Sequence, residues 1–294
     1  MKVKCIYPQN NGCSSFLILE EKTALIDVGL LYCEEEMIEK TKMELKGRPL
    51  DYIILSHSHY DHVGALSYFK KAFPEAKVIA STITDYVFGR PGAINVMKKL
   101  SEDASNLYLG QNSYHPAFDS SGFTVDITVS DGDTIDLGNY KLTVLETPGH
   151  TNCSICFWED SERICFINET IGCAPQKDYV HVCFLKSYLY TIESIERIRE
   201  LKPNRIYIQH YENSYTDNVN DFLNTSEKFC IFMKNIIKEG AEKGFSDDEI
   251  ANEMVLKEYN VYLKDHQPIE AFLANAYPMI NVIHKEFPEY WSLK

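Results

Sequence analysis

The stretch Tyr52-Ile53-Ile54-Leu55-Ser56-His57-Ser58-His59-Tyr60-Asp61-His62 decides how this chain folds. A short apolar run suited to a buried strand leads directly into His-x-His-x-Asp-His. In an extended segment His57 and His59 project to the same side, so two imidazoles can face one metal ion. Asp61 and His62 follow where the chain turns into a helix, and they can face a neighbouring ion. Val63, Leu66, Phe69 and Phe73 then recur at helical spacing until Pro74. A polar loop with Asp61 as helix cap is the plain alternative. Three histidines and an aspartate at this spacing favour a metal site. Imidazole with carboxylate suits zinc, iron or manganese better than magnesium or calcium.

Further donors follow other strand-like runs. Ala24-Leu25-Ile26 leads to Asp27 and Gly29, and Lys141 to Leu145 leads to Thr147-Pro148-Gly149-His150-Thr151. Proline and glycine make a rigid turn there that can aim His150 inward. Ile164-Cys165-Phe166-Ile167 precedes Asn168-Glu169-Thr170, and Arg205-Ile206-Tyr207-Ile208 precedes Gln209-His210-Tyr211. Each donor is bland alone. Together they lie just past the ends of expected strands.

These motifs, in this order, resemble those of the metallo-β-lactamase-fold superfamily of metal-dependent hydrolases, over about residues 1–215. The resemblance rests on Leu25-Ile26-Asp27-Val28-Gly29, the His57 to His62 motif, Thr147 to His150, and the Glu169 and His210 segments. It implies an α+β chain, an αβ/βα four-layer sandwich with the metals at one edge between the sheets. It also implies two divalent ions, zinc first, with iron or manganese as alternatives. His57, His59 and His150 would hold one ion, and Asp61, His62 and His210 the second. Glu169 stands where the family usually has a bridging aspartate, so it would bridge both ions or bind one. Asp27 would hydrogen-bond the motif loop and orient a ligand. Asp61 would also accept the proton of a metal-activated water.

After about Asp217 the character changes. Phe222 to Glu239, Asp247 to Tyr259 and Ile269 to Phe287 have helical periodicity, and Ser246-Asp247-Asp248-Glu249 reads as a capped helix start. The expected division is a core of 1–216 and a helical extension of 217–294, covering the site or forming an interface. The extension resembles those of glyoxalase II and the quinolone-signal thioesterase in position and length. Phe272, Tyr277, Met279 and Ile280 either line an apolar tunnel or pack the extension onto the core, and packing is preferred. Thr82 to Gly122 has a mixed pattern and reads as an insertion that shapes a pocket.

Composition narrows the function classes. The 294 residues are 45% hydrophobic and 24% charged, a globular balance. The 29 basic and 43 acidic side chains leave a net charge of -14, which disfavours nucleic-acid partners. No run spans a membrane and no signal-peptide core precedes Gln9-Asn10-Asn11-Gly12. Nine irregularly spaced cysteines read as reduced thiols of a cytoplasmic protein. The favoured function is hydrolysis of a small ester, thioester or lactone by metal-activated hydroxide. The alternatives are a phosphodiesterase on a small diester, a mono- or di-iron redox enzyme resembling persulfide dioxygenase, and a non-catalytic metal-binding effector. Substrate contacts are open. Tyr179, His181, Tyr188 and Tyr211 are candidates, with packing the default for the tyrosines. The partner is a small molecule, and a homodimer is possible on the helical extension.

Overall fold

Apolar residues alternate along the strands, and the alternation assigns each to one of two packed faces. The computed structural model describes residues 1–9, 13–109, 113–176, 179–211 and 214–292. One sheet contains β1 (Val3–Ile6), β2 (Ser15–Leu19), β3 (Thr23–Ile26), β4 (Tyr52–Ile54), β5 (Lys77–Ser81) and β6 (Ile127–Val129), in that spatial order. β1 to β3 are antiparallel, and β3 to β6 run parallel with Ile26 opposite Ile54 and Ile54 opposite Ile79. The second sheet uses β7 (Thr134–Asp136), β8 (Lys141–Glu146), β9 (Ile155–Glu159), β10 (Ile164–Phe166), β13 (Arg205–Tyr207) and β14 (Tyr215–Thr216), ordered β14-β13-β10-β9-β8-β7. A small hairpin pairs β11 (Cys173–Gln176) with β12 (Tyr179–His181).

Phe16, Ile18, Ile26, Ile54 and Ile79 of the first sheet meet Leu142, Val144, Phe157 and Phe166 of the second in a core between the sheets. The intervening residues Leu17, Leu25, Ile53 and Val78 face outward. They are covered by α1 (Glu34–Leu45), α3 (Leu66–Ala72) and α5 (Pro91–Tyr108), with α2 (Tyr60–Val63) and α4 (Thr82–Phe88) nearby. Cys156, Trp158, Cys165 and Ile206 face out from the second sheet. They share a core with α6 (Tyr188–Leu201), α7 (Val219–Glu242), α8 (Asp247–Met254) and α9 (Ile269–Glu286). The architecture is therefore helices, sheet, sheet, helices. Each fully buried large apolar side chain contributes roughly 1.5–3 kcal/mol, so burial on both faces of each sheet holds the four layers together.

The pattern-based reading differs from this structure in places. The mixed stretch from Thr82 forms two helices. α5 buries only Met97, Ser101, Ala104 and Ser105, so its inward stripe is weakly apolar and leaves little periodic signal. α1 has no counterpart among the expected elements. Helix α8 starts at the capping box of Ser246 and Glu249, then passes into a π-helical stretch, Val255–Leu263. The 216/217 boundary falls between β14 and α7, but the helices after it share the apolar core of the second sheet. Phe272, Met279 and Ile280 are buried in that core, while Tyr277 is exposed and its hydroxyl donates to Asp248.

Candidate metal centre

β3, β4, β8, β10 and β13 all end at the same edge of the sandwich, and each releases a polar side chain there. Asp27 leaves β3 with φ 59°, a left-handed conformation that aspartate adopts more readily than most residues. Its fully buried carboxylate accepts the Ser56 amide at 2.8 Å, the Ser56 hydroxyl at 2.7 Å and His62 Nδ1–H at 2.9 Å. It also accepts Gln209 Nε2–H. Ser56 Oγ in turn accepts His57 Nδ1–H at 3.0 Å. Asp27 thus fixes two imidazoles with their Nε2 lone pairs facing inward. The Val28 and Gly29 amides meanwhile hold the His62 carbonyl.

The loop after β8 is set by Gly149. Its φ is 143°, and a Cβ there would lie 2.9 Å from Thr191 Cα on α6, so only glycine fits. His150 donates its Nδ1–H to the Cys183 carbonyl at 2.9 Å and its amide to Thr170 Oγ1 at 3.1 Å. Asn168 fixes the next turn, donating to the Ile155 carbonyl at 3.0 Å and accepting the Thr170 amide at 2.9 Å. That turn aims Glu169 at the centre. His210 enters from β13 with φ 80°.

Two groups of donor atoms result, each with atoms within 4.8 Å of one another: His57, His59 and His150, and Asp61, His62, Glu169 and His210; Cys13 joins His62 and His210 of the second in a further such group. His150 Nε2 lies 2.9 Å from His59 Nδ1. Glu169 Oε1 contacts His62 Nε2 at 2.5 Å and also His210 Nε2. Its Oε2 points to His57 Nε2 at 3.7 Å, and neither of these two buried atoms has a hydrogen-bond partner. Such crowding of lone pairs is costly unless a proton or cation lies among them. Burial pushes His57, His59 and His150 down, His59 to about 3, which leaves their nitrogens free as donors. Burial also works against charge on His62 and His210, but Cys13 and Glu169 outweigh it and raise both. Burial would raise Glu169, and the surrounding imidazoles instead hold it well below the usual carboxylate range. The donor set fits a metal-binding site.

Residues 9–210 match the pattern of the metallo-β-lactamase superfamily. The chain belongs to this superfamily. Among curated relatives, the anaerobic nitric oxide reductase flavorubredoxin of Vibrio vulnificus is 28% identical over 170 residues, 56% of this chain but 29% of that protein. A metallo-β-lactamase fold-containing protein of Sulfurisphaera tokodaii is 28% identical over 172 residues, 55% of this chain and 60% of its own length. The chain therefore spans less than two thirds of the length of these relatives. Among solved structures, an archaeal superfamily protein from Sulfolobus tokodaii matches with TM-score 0.61 at 18% identity, covering 96% of this chain and 98% of that one. A β-lactamase domain protein from Burkholderia ambifaria matches with TM-score 0.67 at 12% identity, covering 97% and 86%. At these identities the structural likeness is one of fold.

In this superfamily member a cavity of about 570 Å³ opens over both donor groups. His59, Asp61, His150, Glu169 and His210 form its floor, while Leu100, Asp103 and Leu107 of α5 and Glu270, Ala271 and Ala274 of α9 form walls. Of the four candidate substrate contacts, His181 and Tyr211 line it. Tyr188 is instead buried between Phe184 and Phe287, and Tyr179 donates to Glu258 at 2.6 Å. Phe272, Tyr277, Met279 and Ile280 do not line the cavity; α9 covers it with residues of its first turns. Cys13, Gln209 and Glu258 are polar parts of the site that motif spacing did not single out. They lie far from the histidine motif in sequence, and only Gln209, beside His210, carried a nearby signal. No helix among the described residues is long and apolar enough to cross a membrane.

Proposed function

We propose that this chain is a metal-dependent hydrolase of small esters, thioesters or lactones. The observation that carries the reading is the facing pair of unpartnered buried atoms, His57 Nε2 and Glu169 Oε2, set between two donor groups on the floor of a cavity. His57, His59 and His150 would hold one divalent ion and Asp61, His62 and His210 the other, with one oxygen of Glu169 toward each group. Zinc is the proposed metal; iron and manganese accept the same donors. When bound, such ions polarise a substrate oxygen and lower the pKa of water from about 16 to about 7.

The chain's own residues do the rest. Asp27, Ser56 and the Cys183 carbonyl fix the imidazoles, so little reorganisation is needed during reaction. Asp61 is partly exposed toward the cavity, where its carboxylate can take a proton from water and return it to the leaving group. α5 and α9 enclose the acyl portion and limit water access. The test is elemental analysis with turnover of p-nitrophenyl esters, lactones, acyl-CoA thioesters and bis-p-nitrophenyl phosphate. Wild type is expected to bind two ions and hydrolyse carbonyl substrates. His59→Ala should lose metal and activity, and Asp61→Asn activity. Full turnover by a metal-free variant would overturn the mechanism.

A redox reading draws support from the aligned region of proteins named flavorubredoxin. Anaerobic metal analysis and oxygen uptake with glutathione persulfide separate it. Bound iron with oxygen consumption, and no ester turnover, would replace the hydrolase assignment.

A further inference from the structure

We propose that Cys183, His181 and Glu258 form a thiol nucleophile in the same cavity, which accepts an acyl group from a small ester or thioester. The array goes beyond the metal reading and does not depend on it. Cys183 Sγ lies 2.9 Å from His181 Nε2, and His181 Nδ1 lies 2.6 Å from Glu258 Oε1. This is the order nucleophile, base, orienting carboxylate. His181 and Tyr179 alternate with Val180 on β12, so their side chains share a face, and Tyr179 donates to the same Glu258 oxygen at 2.6 Å. Glu258 is fully buried, and its second oxygen has no partner. The π-helical stretch Val255–Leu263 that carries it is a geometry frequent at functional sites. Cys183 and His181 both line the cavity beside His59, Asp61 and Glu169. Burial works against charge on the His181 ring, yet Cys183 and Glu258 outweigh it and raise the ring to about 10.

The chemistry balances without a co-reactant beyond water. Cys183 Sγ attacks the acyl carbon while the proton of its hydrogen bond to His181 rests on Nε2, and its S–C bond forms as the bond to the leaving oxygen or sulfur breaks. His181 Nε2–H protonates the departing alcohol or thiol. Water then attacks the acyl-cysteine and gives its proton to His181. The S–C bond breaks, releasing the acid and restoring the Cys183–His181 hydrogen bond.

The full chain, as purified, is labelled with limiting iodoacetamide. It is mixed separately with p-nitrophenyl acetate and quenched in acid. Digestion and mass spectrometry then locate the adducts. Exposed Cys5 is the internal reference. Cys183 should react at least ~10-fold faster than Cys5 despite its burial, and should carry the acetyl group. His181→Gln should slow Cys183 about 100-fold and leave Cys5 unchanged. Cys183 labelling slower than Cys5 in wild type overturns the proposal, whatever the variant does. So does an unaltered Cys183 rate in His181→Gln. Asp61→Asn should label at Cys183 as wild type does, so failure of the hydrolase reading and failure of this one remain distinct.

Discussion

Asp27 concentrates more of the site's geometry than any ligand candidate. It accepts from Ser56, His62 and Gln209, and through Ser56 it orients His57. Asp27→Asn keeps the volume but turns an amide NH₂ toward donors. The expected result is a 10–100-fold loss of metal affinity, measured by competition with a chromogenic chelator. Unchanged affinity would show that the rings are positioned by packing alone. The His181–Glu258 pair makes a separate prediction about pH. His181 is raised to about 10, so its stabilising contribution is complete below the unfolded value of about 6.5 and disappears as pH climbs through the folded value. Urea unfolding should show wild type losing stability across that window. Glu258→Gln should show a flatter profile, and equal slopes would remove this pair as the cause.

Between α2 and α3 the chain turns at Gly64, against the loop that follows Asp27. A Cβ there would lie 2.8 Å from the Leu31 amide nitrogen and nearer still to the Tyr60 carbonyl, both backbone atoms that cannot swing away. Gly64→Ala should therefore destabilise by about 1–3 kcal/mol, read as a lower urea midpoint with an unchanged slope. A neutral result would mean that the loop shifts freely. At the other wall, Ala104 of α5 meets the cavity with little bulk. Ala104→Phe should fill that space and raise KM for long acyl chains much more than for acetyl esters, with metal content unaltered. An equal effect on both lengths would place the acyl chain elsewhere. The stretch reads in sequence as one that shapes a pocket, but its pattern does not disclose the helix α5, because two serines and an alanine on its buried side mimic a surface segment.

Taken as a whole, the molecule carries a net charge of -14, and the cavity adds Asp103, Asp265 and Glu270, with no lysine or arginine among its described lining residues. The summed field should favour cationic or neutral substrates. At low salt, kcat/KM for a choline ester should exceed that for a succinyl monoester, and added salt should narrow the gap. A salt-independent ratio would mean that the field does not reach the site. The sequence alone supplied the strand alternation and the ordered motifs with their candidate donors, and the sandwich followed from the resemblance that those motifs carry. Strand alternation is a period-two property of neighbouring residues, and His-x-His-x-Asp-His carries its chemistry within six positions. Those features are local, so they survive reading without coordinates. The tertiary structure alone decided which distant groups meet. Glu258 reaches His181 across 77 positions, Gln209 reaches Asp27 across 182, and Tyr188 turns away from the cavity into the core. Those meetings depend on how α6 to α9 pack onto the second sheet and on which strand ends share an edge. No pattern of nearby residues encodes such long-range packing.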